Sequence, residues 1–349
     1  MTSDQCQIGT QHVVDSVSRL QAKTSRVVTK TMVGVLCTAL ASPAAVGGAG
    51  VPTNLAAGLT TTDISGAIDT AKTADTSKAA ADTARAADTS VRMTVLPFHI
   101  GGSLVLFEAD VNGQHGVLML DTGAEITMIN TLRVKPTNVG DSSPAPGGRI
   151  QGTIAPGVVP AIQVGAFTLR DVPVVFANLE SLEKQVGEPV LGILGAPQLE
   201  PFEMILDHQA RHLVFVRLDS LGHPLTEATG FIPKDTVPLI GGTTPHIYAY
   251  SGDVEMNFLI DTGAEQYYLT NDSRSTLGNR IHPSKEPGSN LTVMDHLRVG
   301  RSTYDTVSFV PYNEPGNAVL VGGIIGQTFL KAQGQVGFNL RAGNFLLAR

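Results

Sequence analysis

The chain contains no tryptophan, and aromatic residues make up only 5% of it. A core must therefore rest on Val, Leu, Ile and Ala. There are two cysteines, Cys6 and Cys37. Both precede the region that reads as folded, so no disulfide staples that region, and cysteine usage decides nothing about redox compartment. A basic excess is missing too: 24 Lys and Arg stand against 31 Asp and Glu, a formal net charge of −7. That charge implies no large basic face and argues against nucleic acid as the main partner. No H-E-x-x-H zinc pair, cysteine cluster or G-x-S-x-G nucleophile elbow occurs. His208 and His212 have metal-pair spacing, but ILDHQARHLVF reads as strand–turn–strand, which predicts two surface turn histidines. The run Gly322–Gly326 lacks the lysine of a phosphate loop and reads as structural.

Glycine and proline are abundant. With 37 Gly and 20 Pro among 349 residues, the chain reads as turn-rich and all-β, long enough for about two domains plus extensions. Near the N-terminus, Arg19, Lys23, Arg26 and Lys30 lead into the apolar Thr31–Ala41 and then small residues. A basic region, a short apolar core and a small-residue stretch are the parts of an export signal, so residues 1–50 are expected to be a signal or a membrane anchor. Residues 51–91 repeat Ala, Thr, Asp, Lys and Ser with almost nothing large. Such a segment cannot bury enough apolar surface to offset its ordering entropy, and it reads as a spacer or a propeptide.

From Arg92 the texture changes. SLVLFEADVNGQHGVLMLD reads as a hairpin around Asn112-Gly113, and YAYSGDVEMNFLID as one around Ser251-Gly252. Each second arm runs into the same five residues, Asp-Thr-Gly-Ala-Glu, at Asp121–Glu125 and again at Asp261–Glu265. Both copies are followed by a polar Gly/Pro-rich loop, a hairpin with a Val-Gly turn, an apolar-apolar-Gly step (Ile193-Leu194-Gly195 and Ile324-Ile325-Gly326), a short helix and a final hairpin. The order predicts an internal duplication, with one lobe over 92–217, a linker over 218–235 and a second lobe over 236–349.

A pair of carboxyls brought together by such a repeat has a definite chemistry. Two carboxylates a few ångström apart cannot both be charged cheaply, so they share a proton. The charged one takes a proton from water. The neutral one polarises a carbonyl and later helps protonate the leaving amine.

In the doubled Asp-Thr-Gly-Ala and the two downstream glycine steps, the chain resembles the aspartic proteases, and within them the bacterial retropepsin-like branch. The resemblance covers about the last three-quarters of the chain. It implies a bilobal all-β fold with a cleft between lobes and Asp121 and Asp261 as catalytic residues. It implies that Thr122 and Thr262 brace the two loops, with Gly123 and Gly263 turning tightly beside the carboxyls. Ala124 and Ala264 take the retroviral pattern, where pepsin-like proteins carry a hydroxyl. Its absence predicts a working pH nearer neutral than pepsin's. Glu125 and Glu265 depart from the family's Asp and are candidate substrate contacts. The family's Arg after the downstream glycine is replaced by Ala196 and Gln327. Gly-rich hairpins over the pair are expected at Pro144–Gly157, with Gly148 and Ile150 as substrate contacts, and at Pro283–Asn290.

The resulting expectation is an exported aspartic endopeptidase of the periplasm or cell envelope. It would act on extended peptide or protein without metal or cofactor, as a monomer with an internal pseudo-dimer. A non-catalytic peptide-binding module of the envelope is the alternative from another class. A swapped dimer is the alternative assembly.

Overall fold

A computed structural model describes residues 91–145, 150–228, 230–312 and 322–348. The expected export signal, all but the last residue of the Ala/Thr/Asp-rich segment, and Gly148 lie outside the described residues. Among the described residues the chain is mostly β-sheet, with three helices of seven residues each.

The first half begins with β1 (Met93–Gly101), β2 (Leu104–Val111), β3 (Gln114–Asp121) and β4 (Thr127–Asn130). A two-residue β5 (Ser143–Pro144) precedes the long hairpin of β6 (Gln151–Val164) and β7 (Phe167–Asn178). Helix α1 (Glu180–Val186) leads to β8 (Gly192–Gly195), a 3-10 turn over Ala196–Leu199, and the hairpin β9 (Phe202–Asp207) and β10 (His212–Arg217). The second half runs β11 (Asp235–Pro238), β12 (His246–Ser251), β13 (Val254–Ile260) and β14 (Tyr267–Thr270). After α2 (Asn271–Leu277) come β15 (Ile281–Pro283), β16 (Thr292–Val299), β17 (Ser302–Tyr312) and β18 (Gly323–Ile325). Helix α3 (Gln327–Gln333) and the hairpin β19 (Gln335–Asn339) and β20 (Asn344–Leu347) finish it.

The halves repeat strand for strand. The first orders its strands β2-β3-β8-β4-β7-β6, and a β2–β6 pairing closes the ring. The second orders them β12-β13-β18-β14-β17-β16, closed by β12–β16. Directions match as well: β3–β8 and β4–β7 are parallel, as are β13–β18 and β14–β17. Closure leaves no free edge within each ring. A further sheet, β11-β20-β19-β9-β10-β1, spans both halves and is joined at β9–β19, where Asp207 pairs Gln335 and Glu203 pairs Asn339.

Sequence explains these choices locally. The central strands β4 and β8 are buried at every position, and β18 likewise, so they read as short unbroken runs such as GILG and GII. A strand covered on both faces needs no polar face. Peripheral β17 instead alternates buried and exposed residues over much of its length, as a half-solvated strand must. The Asn112-Gly113 turn has both residues at positive φ, 51° and 81°, which suits a two-residue hairpin loop. The second hairpin differs by one position from its sequence reading. Ser251 already pairs Val254 in the ladder, so the loop is Gly252-Asp253, with Gly252 at φ 61°. Glycine at the first loop position is what the mirror turn of the other type requires.

His208 corrects a sequence expectation. It is half-buried rather than on the surface, and its ring stands edge-on to Phe98 at 5.7 Å between centroids. Burial and the neighbouring Lys331 pull its pKa down to about 4. His212 is exposed at the start of β10.

Candidate active site

Asp121 is the last residue of β3, and Asp261 follows directly on β13. Apolar strands carry both to the middle of the molecule, and both side chains are fully buried. Asp121 is in register with Gly195 of β8, and the Asp261 N–H donates to the Ile325 carbonyl at 3.0 Å. The apolar-apolar-Gly steps are thus the strands on which the two aspartates rest.

The threonines tie the loops together. The Thr122 N–H donates to Thr262 Oγ1 at 2.9 Å, and the Thr262 N–H donates to Thr122 Oγ1 at 3.0 Å. Each hydroxyl in turn donates across the boundary, Thr122 to the Ile260 carbonyl at 2.8 Å and Thr262 to the Leu120 carbonyl at 3.0 Å. Four buried hydrogen bonds therefore lock the strand ends against each other, with each threonine hydroxyl both donating and accepting.

Gly123 and Gly263 let the carboxyls approach. A methyl group on Gly123 would lie 2.5 Å from Cγ of Asp261, and one on Gly263 would lie 2.5 Å from Cγ of Asp121. Each glycine N–H donates to Oδ1 of the aspartate two residues earlier, at 2.9 Å for Asp121 and 2.7 Å for Asp261. Among the described residues neither Oδ2 receives a donor. Burial raises the Asp121 pKa well above its ordinary value, and the Asp261 charge raises it further. Burial raises Asp261 as well, opposed by the Gly263 N–H and by Asp121. The pair holds one proton far more readily than two isolated aspartates would.

The remaining predicted site residues divide. Ala124 and Ala264 are buried in small apolar clusters beside the motifs, Ala124 with Met119, Met128, Leu182 and Ile193, and Ala264 with Leu259, Tyr268, Tyr312 and Ile324. Their carbonyls accept from Ala196 N–H and Gln327 N–H, at 2.9 and 2.8 Å. Glu125 and Glu265 are both half-buried, yet their partners differ. Glu265 Oε1 accepts from Gln185 Nε2 on α1 at 2.7 Å, a contact between halves. Glu125 has no hydrogen bond or ion pair among the described residues, and burial pushes its pKa up to about 7.

Both segments expected to form hairpins contain antiparallel pairings, with different bounds. Ser143 and Pro144 of β5 pair Ile154 and Thr153 of β6, and Gly157 is already inside a 14-residue strand. Ile150 is buried against first-half core residues rather than displayed. The second hairpin pairs Pro283 with Thr292, and the Ser284 N–H donates to the Leu291 carbonyl at 2.9 Å.

Three supporting residues escaped the sequence reading. Gln327 Nε2 donates to the Thr262 carbonyl at 2.7 Å. Gln198 accepts from the Thr127 hydroxyl, which itself accepts from Gly195 N–H at 3.0 Å. Gln185 holds Glu265. Gln327 had a signal, its place directly after Gly326. Gln185 and Gln198 had none, because their partners are distant in sequence.

Residues 107–197 match a family model for aspartyl proteases. The matched stretch contains the first Asp-Thr-Gly and the Ile193-Leu194-Gly195 step, and the mostly β architecture is consistent with the all-β fold of that family. No curated protein matches the chain. Among the described residues no group of three or more His, Cys, Asp or Glu is placed to hold a metal ion, and no helix is long and apolar enough to cross a membrane.

Proposed function

We propose that the chain is an aspartic endopeptidase in which Asp121 and Asp261 activate a water molecule for attack on a peptide bond. The observation that carries this reading is the reciprocal Thr122–Thr262 exchange, because it holds two buried carboxyls beside each other from opposite halves. One carboxyl of the singly protonated pair takes the proton from water. The other donates to the carbonyl oxygen, and the tetrahedral species collapses with a proton passed to the amine. The residues thought to position substrate are Glu125, Glu265 and the hairpins β5–β6 and β15–β16. An extended peptide would lie between two lobes produced by duplication, paired through its backbone as an added strand. The basic and apolar N-terminal segment supports export to the periplasm or envelope. The single-chain pair supports action as a monomer.

Digestion of a diverse peptide library by wild type and by Asp261→Asn tests the reading. Cleavage by wild type, reduced at least ~10²–10⁴-fold in the variant, is expected. Equal cleavage by both proteins would refute catalysis by the pair. Peptide binding without cleavage by either would instead establish a binding module.

A further inference from the structure

The second half carries a cavity of ≈ 290 Å³ that shares no residue with either aspartate motif. Its walls come from Arg274 of α2, from β15 and from the loop that runs into β16, and β15 is the outer strand of its sheet. The size is close to the lower end of the ~300–1,000 Å³ usual for small-molecule sites. Arg274, Ser289, Asn290 and Thr292 supply a polar wall, and Ile281 and Leu291 an apolar one. Hydrogen bonds within the walls preset them. Arg274 Nη1 donates to Asn271 Oδ1 at 3.1 Å, one turn back on α2. The Ser289 N–H donates to the Glu286 carbonyl at 3.1 Å, and the Leu291 N–H to Ser289 Oγ at 3.2 Å. His282 also lines the cavity, with Nδ1 3.0 Å from the Pro283 carbonyl and Nε2 3.2 Å from Asp295 Oδ1. A carbonyl and a carboxylate only accept, so both bonds together require the doubly protonated ring. Asp272, Glu286 and Asp295 belong to the same segments, yet none of them is among the described residues that line the cavity.

From this lining we propose that the cavity binds a small organic oxyanion, a carboxylate or a phosphate ester, with its oxygens on the Arg274 guanidinium and its apolar body against Ile281 and Leu291. A planar guanidinium can meet two oxygens of either group at once, which an ammonium cannot. The Ser289 and Thr292 hydroxyls and the Asn290 amide are donors for the remaining oxygens. The apolar wall keeps water from one side of the ligand, which strengthens the charged bonds on the other. Free inorganic phosphate has no apolar body to place there and is expected to bind more weakly than its esters. The cavity shares no residue with the aspartate site, so this inference does not rest on turnover.

The test is calorimetric titration of the full chain with two matched pairs of probes, N-acetyl-leucine against N-acetyl-leucinamide and phenyl phosphate against phenol. Titration to about 10 mM nearly fills a site of ~1 mM affinity. In at least one pair the anion is expected to bind about tenfold more tightly than its neutral partner. The pair with the larger preference identifies the oxyanion as carboxylate or phosphate ester. The preference is expected to vanish in Arg274→Gln, to weaken in Arg274→Lys, and to persist in Arg280→Gln, whose arginine pairs with Asp253 and does not line the cavity. Ser289→Trp changes a half-buried loop residue rather than the core, so it is expected to fold and to block both anions by filling the cavity. No preference in either pair, or one that survives Arg274→Gln, would overturn the site. Equal loss in Arg280→Gln would overturn it as well, by showing diffuse attraction to the surface. Asp261→Asn is expected to leave this binding unchanged, so failure of the protease reading and failure of this one are told apart.

Discussion

At the scale of single residues, the two threonines and Glu125 carry opposite lessons. Each threonine hydroxyl is both donor and acceptor in a fully buried place. Thr122→Ala therefore leaves the Ile260 carbonyl and the Thr262 N–H unanswered, at about 1–3 kcal/mol for each group. The expected result is a loss of roughly 2–6 kcal/mol in denaturant unfolding, with activity falling alongside, and substantial recovery in Thr122→Ser. Retained stability in the alanine variant would show that the exchange does not hold the halves. Glu125 acts through pH. Its ordinary value is 4.5 and its folded value about 7, so the folded protein favours the protonated form. The stability this confers is complete below 4.5 and is lost as pH rises through 7, about 3 kcal/mol in all. Glu125→Gln is expected to lack this loss, which a comparison of the two proteins' unfolding at pH 5 and pH 8 measures directly. The motif made both residues conspicuous in the sequence. Their different surroundings were not legible, because Gln185 and Thr328 meet Glu265 only through folding.

At the scale of elements, strand periodicity was readable and helices were less so. Unbroken apolar runs marked the doubly covered strands, and two-residue turns with Asn-Gly or Gly marked the hairpins. The helix after the first glycine step is a single 3-10 turn with Pro197 inside it, whereas its counterpart after Gly326 is a seven-residue α-helix. Proline at the second position supports a short start but offers no N–H to the turn. The last hairpins also anchor each other. Arg341, after β19, grips Glu200, before β9, with two parallel bonds of 2.8 Å, and donates to the Asp219 carbonyl at 2.8 Å. The pair is partly shielded, with side chains 18% and 32% exposed. Arg341→Ala is expected to cost about 1–3 kcal/mol in thermal or chemical unfolding. Arg341→Lys is expected to recover little, because an ammonium cannot make the paired bonds. An unchanged midpoint in the alanine variant would rule out this contact as a clamp.

At the scale of the whole molecule, one apolar cluster runs through both halves, including Phe98, Phe202 and Leu213 from the first and Ile260, Val336 and Phe338 from the second. The β9–β19 ladder, the threonine exchange and the Arg341 clamp cross the same boundary. The chain is therefore expected to unfold as one cooperative unit. All six tyrosines lie between Tyr248 and Tyr312, and no tryptophan masks them. Tyrosine fluorescence thus reports the second half, while far-ultraviolet circular dichroism reports both. Coincident transitions by the two probes are expected in urea, and separated ones would show that the halves unfold independently.

The sequence by itself determined the repeat, the β character and the identity of the two acidic residues, because strand period, turn chemistry and a doubled motif are local properties of the chain. Only the tertiary structure decided that the two carboxyls meet, that threonines from opposite halves exchange hydrogen bonds, and that Gln185 holds the second glutamate of the repeated motif. Those outcomes depend on contacts between residues more than sixty positions apart, which no local pattern encodes.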